Sequence, residues 1–160
     1  MPALPNPSFS PMRLAYLGRN VWHRVRRPLS LGTRALLIDP RDRVLLIRHS
    51  YIPGWHMPGG GVGKGESLRQ AAAREVREEV GLDLVGRIDL FGIYARFRHG
   101  ASDHVALFVA RDWRNEPRVD GLEIVETEFF PLESLPPDLS PGTRRRIDEW
   151  RGGHPPAEAW

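Results

Sequence analysis

A glycine-rich loop (Gly59, Gly60, Gly61, Gly63, Gly65) running into SLRQAAAREVREEVG restricts the fold of this chain more than any other segment. Residues without Cβ atoms let a backbone turn sharply and approach a ligand or ion closely. From Ser67 onward the residues are good helix formers, and Gly81 stands where a left-handed stop belongs. The spacing predicts a helix of about four turns. At about 100° per residue, Glu75 and Glu79 point almost the same way and Glu78 lies one ridge over. Ala72, Val76 and Val80 form the adjacent apolar stripe, suited to packing on a sheet, while Gln70, Arg74 and Arg77 fall on the other side. The chain is therefore expected to lay this helix on a sheet with three carboxylates at one end.

Such a cluster is unfavourable by itself. Like charges at helical spacing cost roughly 0.2–0.5 kcal/mol per pair, and carboxylates in a last turn oppose the helix dipole. A cation is expected beside them. Hard carboxylate oxygens without cysteine or histidine suit Mg²⁺ or Mn²⁺ rather than zinc. A solvated, ion-paired face would explain REVREEVG alone, but not the glycine loop at fixed distance, Glu66 eight positions before Arg74, and the closing Gly81.

These residues resemble the Nudix box, G-x5-E-x7-R-E-U-x-E-E-x-G-U with U aliphatic. Gly60, Glu66, Arg74, Glu75, Val76, Glu78, Glu79, Gly81 and Leu82 occupy its specified positions. The resemblance implies that Glu75, Glu78 and Glu79 are catalytic metal ligands, that the Gly60 carbonyl is a further one, and that Arg74 and Glu66 brace the loop against the helix. Trp55 to Gly60 is similar to the W-x-x-P-G-G that precedes the family's box. Glu123 to Leu132 is similar to its last strand, where an acidic residue such as Glu126 can approach the metals.

The rest of the chain fits one α/β domain with a core of ordinary size. Ala35–Ile38 and Val44–Ile47 are apolar runs separated by the turn-like Asp39-Pro40-Arg41-Asp42, and read as adjacent buried strands. Ile88–Phe97, Val105–Ala110 and Ile124–Phe130 read as three more. Ser140-Pro141 predicts the start of a second helix running to about Trp150. Strands with interspersed helices but no regular βαβ repetition favour an α/β sandwich. The resemblance makes this a Nudix-type α/β/α sandwich with a mixed central sheet. The expected domain is 31–151, between a basic N-terminal arm (1–30) and an irregular C-terminal tail (152–160).

The charge is unevenly placed. No acidic residue precedes Asp39, whereas Arg13, Arg19, Arg24, Arg26, Arg27 and Arg34 do, so the formal +3 belongs to the start of the chain and the remainder is net acidic. Within the arm, Leu14, Leu17, Val21 and Val25 recur at helical spacing, which fits a short amphipathic helix packed on the domain with its arginines solvated. The same arm could meet RNA or an anionic surface. No apolar run is long enough for a signal peptide or a membrane span, and a cytoplasmic setting is expected. The absence of cysteine excludes disulfides and cysteine-bound zinc.

The resemblance implies a Mg²⁺-dependent hydrolase that cleaves the diphosphate linkage of a nucleoside diphosphate joined to another group, through metal-activated water. Its substrate is expected to be a small nucleotide. The proton acceptor stays open among Glu75, Glu79, Glu123 and Glu126. Arg48 and His49, at the end of a strand leading to the loop, are candidate phosphate contacts, and Trp55, Tyr94 and Phe97 are candidate stacking partners for a base. The alternative reading is a module that binds a nucleotide or an RNA end, with the basic arm making contacts and no significant hydrolysis.

Overall fold

The computed structural model describes residues 29–98, 101–119 and 121–160. The amphipathic element expected at Met12 to Val25 lies outside them. The elements are β1 (Leu29–Leu37), β2 (Arg43–His49), β3 (Trp55–His56), α1 (Leu68–Val80), β4 (Asp83–Leu84), β5 (Ile88–Arg98), β6 (Ala101–Ala110), β7 (Trp113–Arg114), β8 (Ile124–Pro131) and α2 (Pro141–Arg151). They form a mixed sheet β1-β6-β5, an antiparallel sheet β3-β2-β8 and the small pair β4-β7.

One expectation is corrected here. β1 and β2 are not paired neighbours but belong to different sheets, joined only by the single bridge Ile38↔Val44 among the described residues. The glycine loop takes the place beside β1. Thr33 N donates to Gly60 O at 2.8 Å, Ala35 N to Pro58 O at 2.9 Å, and Val62 N to Leu31 O at 3.1 Å. β2 turns away after the Asp39 carboxylate has accepted from Arg41 N, Arg43 N and Arg43 Nε. Continuous apolar runs could not reveal this, because Ala35–Ile38 and Val44–Ile47 are buried on both faces.

Strand alternation divides the core into two layers. Ala35, Leu37, Leu45, Ile47, Ala106 and Phe108 pack with Ala72, Val76 and Val80 of α1. Leu36, Ile38, Val44, Leu46, Tyr94 and Leu107 pack on the other side with Ile147 of α2. The result is the α/β/α arrangement, with its sheet split where the loop passes.

Both helices are capped as their sequences predict. Ser67 and Gln70 form a capping box, and Gly81 N returns to Arg77 O in the left-handed conformation. Ser140 caps α2 ahead of Pro141. The C-terminal tail is less irregular than expected: Ala95 N donates to Glu158 O at 2.8 Å and Trp160 N to Ala95 O at 2.9 Å, so residues 158–160 run along the open edge of β5. No helix among the described residues is long and apolar enough to cross a membrane.

Candidate active site

The site forms where the loop and the end of α1 press together. Gly59 has φ +141, and a Cβ there would lie 2.2 Å from Thr33 O; a Cβ on Gly60 would lie 2.5 Å from the Glu75 carboxylate. Glycine at both positions lets the loop lie flat between β1 and α1. Gly59 N then donates to Glu79 Oε2 at 2.7 Å.

Arg74 organises the remaining carboxylates. Its Nε donates to Glu66 Oε1 at 2.8 Å and its Nη2 to Glu66 Oε2 at 3.0 Å and Gly61 O at 2.9 Å. Its Nη1 reaches Glu75 Oε1 at 2.8 Å and Glu78 Oε2 at 3.0 Å. Glu66 also accepts from Gly63 N at 2.9 Å, so one carboxylate ties the loop to the helix through one guanidinium. Contrary to the expectation that sets it apart from the glutamates, Arg74 stands one turn before Glu78 at i, i+4 and reaches the acidic patch along the same face of the helix.

The carboxylates are not equivalent. Glu78 is 58% exposed, whereas Glu79 is only 9% exposed and is not part of a surface patch. Spacing gave the angular position of Glu79 but not its depth. Burial pushes its carboxyl up to about 8, against opposing contributions from the Arg34 cation and the Gly59 N–H; Glu75 and Glu123 push it further up. Burial likewise raises Glu75 above the usual carboxylate range, opposed by Arg74.

Arg34 is a residue that the sequence did not single out for this site. It follows Thr33 on β1, directly behind Gly59, and its charge is felt by both Glu75 and Glu79. No described carboxylate lies within ion-pair distance of it, and its buried Nη1 has no hydrogen-bond partner among the described residues.

Fitness for a divalent cation rests on donor chemistry. Glu75, Glu78, Glu79 and the Gly60 carbonyl offer only hard oxygens, and desolvation raises the proton affinity of Glu79 and Glu75 by more than the nearby Arg34 and Arg74 cations offset. No three carboxylate or histidine side chains converge on one point among the described residues. Arg74 holds Glu75 and Glu78, and Gly59 holds Glu79, so these bonds account for the splay. Gly60 O already accepts from Thr33 N and retains a second lone pair.

Arg48, Trp55 and Glu126 gather elsewhere. Arg48 stacks over Trp55 at 4.7 Å and pairs with Glu126 at 2.9 Å and Asp138 at 3.0 Å. Trp55 and Glu126 line a cleft of about 330 Å³ along β8 with Arg118 and Val119. Register explains the separation: Arg48 opposes Trp55 on the α2 face, whereas Ile47 opposes His56 on the α1 face. On that α1 face a second group borders the glutamates. His49 lies 5.2 Å from the Tyr51 ring and 5.6 Å from the His56 ring, and the Tyr51 hydroxyl donates to Glu123 Oε1 at 2.6 Å. Glu123, which immediately precedes β8, carries a charge that bears on Glu79. The signal that could have found this wall is the period-two alternation from Ile47 to His49.

An α/β/α sandwich with a capped helix presenting three glutamates to a double-glycine loop defines a class, and family comparison agrees. The NUDIX domain model matches residues 28–150. The chain belongs to the NUDIX family, whose members are typically divalent-metal dependent hydrolases. It is 28% identical over 122 residues to a Bacillus subtilis protein assigned as an 8-oxo-dGTP diphosphatase, covering 76% of this chain and 80% of that one. It is 39% identical over 67 residues to an RNA pyrophosphohydrolase of Legionella pneumophila, covering 42% of this chain and only 38% of that relative. The crystal structure of a MutT NUDIX hydrolase from Burkholderia pseudomallei superposes with a TM-score of 0.68 at 28% identity, covering 75% of this chain and 96% of that one.

Proposed function

We propose that this chain hydrolyses the diphosphate linkage of a nucleoside diphosphate joined to a further group, with Mg²⁺ or Mn²⁺ bound at the box glutamates. The observation that carries the reading is the surplus of carboxylate at the end of α1, gathered against a loop that only glycine can form. The relatives' different substrates, an oxidised nucleoside triphosphate for one and an RNA end for another, support the common reaction rather than one substrate.

When bound by Glu75, Glu78, Glu79 and Gly60 O, the divalent ion would offset charge on the phosphoryl oxygens and make a water more acidic. The protein supplies placement. Gly59 N fixes one oxygen of Glu79, and Arg74 steers Glu75 and Glu78 while anchoring the loop through Gly61 O. The proton of the attacking water would pass to a carboxylate beside the ion, Glu75 or Glu79. Glu123, held by Tyr51, borders the same space.

The test is release of phosphate, pyrophosphate and nucleoside monophosphate from a panel of nucleoside triphosphates, nucleotide sugars and dinucleoside polyphosphates, with divalent ion and with chelator. Turnover that needs the ion and disappears in Glu79→Gln supports the reading. Turnover indifferent to both would overturn it.

A further inference from the structure

Glu123 is held at two points by consecutive residues of the loop that follows β2. Its carbonyl accepts from Ser50 N at 2.9 Å, and its Oε1 accepts from the Tyr51 hydroxyl at 2.6 Å. The approach to β8 is shaped to bring it there. Gly121 turns the chain at φ +73, and its N–H donates to Ile124 O at 3.1 Å. The register of β2 with β8 then slips, so that Arg48 opposes Glu126 and His49 opposes Ile124, with Val125 as the extra residue of a bulge. The acidic residues on either side of that bulge have different partners: Glu126 pairs with Arg48 at 2.9 Å, and Glu123 bonds to Tyr51.

This hold lies next to the end of α1. Ile124 is 1% exposed and packs in one layer with Val76 and Val80, and Val80 directly follows Glu79. Upstream of Glu123, Arg118 N donates to Val80 O at 2.9 Å, so the same stretch of chain touches the last turn of the helix. Burial raises the proton affinity of Glu79, and negative charge at Glu123 adds to the rise. Beside Tyr51 the rings are packed. His49 is 8% exposed, its ring lies 5.2 Å from that of Tyr51 and 5.6 Å from that of His56, and His56 Nε2 lies 3.0 Å from Pro53 O. This packing limits the swing of the phenol. A phenol hydroxyl donates one proton and carries no charge, so the bond orients Glu123 without neutralising it. The Arg74 guanidinium, by contrast, both orients Glu75 and Glu78 and opposes their charge.

We propose that Tyr51 is a positioning residue, which fixes Glu123 as a further carboxylate beside Glu79 and so strengthens the hold of the glutamate site on a divalent ion. The proposal rests on the hydrolase reading and adds to its ion binding a residue from outside the glycine loop and α1. A group that orients a carboxylate near an ion governs affinity by keeping the oxygen where the ion needs it, and its loss weakens binding by about 10–100-fold. Phenylalanine keeps the ring beside His49 and deletes only the hydroxyl, so Tyr51→Phe isolates the bond.

The experiment titrates the full chain with Mn²⁺, read by the electron paramagnetic resonance of the free ion, in wild type, Tyr51→Phe, Glu123→Gln and the double variant. Tyr51→Phe should raise the Mn²⁺ Kd by about tenfold with Tm unchanged, and the Mn²⁺ needed for half-maximal nucleotide hydrolysis should rise by the same factor. The double variant should bind no more weakly than Glu123→Gln, because the hydroxyl acts through that carboxylate. A wild-type Kd in Tyr51→Phe or in Glu123→Gln overturns the positioning role, while turnover that still needs the ion leaves the hydrolase reading standing. Losses that multiply in the double variant also overturn the role, since Tyr51 then acts without Glu123. A fall in Tm with Kd unchanged makes the hydroxyl a structural contact and overturns it too. Turnover that ignores chelator overturns both readings together.

Discussion

Two arginines, one on each helix, are set among acidic groups in opposite ways. Arg74 on α1 pairs with Glu66, Glu75 and Glu78, so one guanidinium serves three anions, and Arg34 adds only a more distant charge toward Glu75 and Glu79. Arg146 on α2 is 2% exposed and, among the described residues, has one acidic partner, Glu149, at 3.0 Å. The rest of its surroundings are neutral: the Tyr94 ring at 4.3 Å, the Trp160 ring at 5.6 Å and Ala159 O at 2.8 Å. The α2 cluster matches one cation to one anion, with the buried Arg146 Nε without a hydrogen-bond partner among the described residues, so it serves stability. The α1 cluster carries surplus negative charge that the folded chain does not satisfy, which is what a site awaiting a cation requires.

The largest expected effect separates the two clusters. Glu79→Gln should lower metal-dependent turnover by about 10³-fold while stabilising the metal-free fold. The sign follows from burial: with a folded value of about 8 against an ordinary 4.5, the folded state binds the extra proton between those limits. Metal-free stability should therefore fall as pH rises from about 4.5 to about 8, and denaturant titrations should show that slope weakened in the variant. A steeper fall in Glu79→Gln than in wild type would break the contrast.

Arg146→Ala should do the reverse, costing about 3–5 kcal/mol of stability by leaving Glu149 unpaired, with kcat of the folded fraction retained. Chemical denaturation and activity below the transition check this; a lost kcat with unchanged stability would contradict it. Arg74→Lys comes next. Lysine keeps the charge but not the fork that reaches Glu66, Glu75, Glu78 and Gly61 O, and steady-state kinetics should register a loss of about 10–100-fold. The smallest effect is expected at Arg48→Ala. Its half-exposed pairs with Glu126 and Asp138 contribute roughly 0–1 kcal/mol, so hydrolysis should change by no more than about threefold. A much larger drop would return Arg48 to the substrate site.

These contrasts also mark what the sequence could tell. The helix from Ser67 to Gly81, its caps and its three glutamates were legible because helical period and cap chemistry are local properties. The pairing of strands was not, since Ala35–Ile38 and Val44–Ile47 are apolar on both faces and carry no parity to say which neighbour each takes. The depth of Glu79 and the nearness of Arg34 depend on how closely residue 59 approaches β1, which no period encodes. Arg48 and His49 could not be told apart as phosphate contacts by their chemistry, because a one-residue step along a strand moves a side chain to the opposite face.

Residues 158–160 beside β5 have a consequence for the protein's life in a crowded solution. An eleven-residue strand with an open row of amide and carbonyl groups is a template on which other chains can add strands. Here the molecule fills part of that template with its own residues 158–160 and locks them with the Trp160 ring against Tyr94. Unlatching that segment would change the chain's company before its chemistry, turning a self-contained particle into one able to grow by edge-to-edge addition.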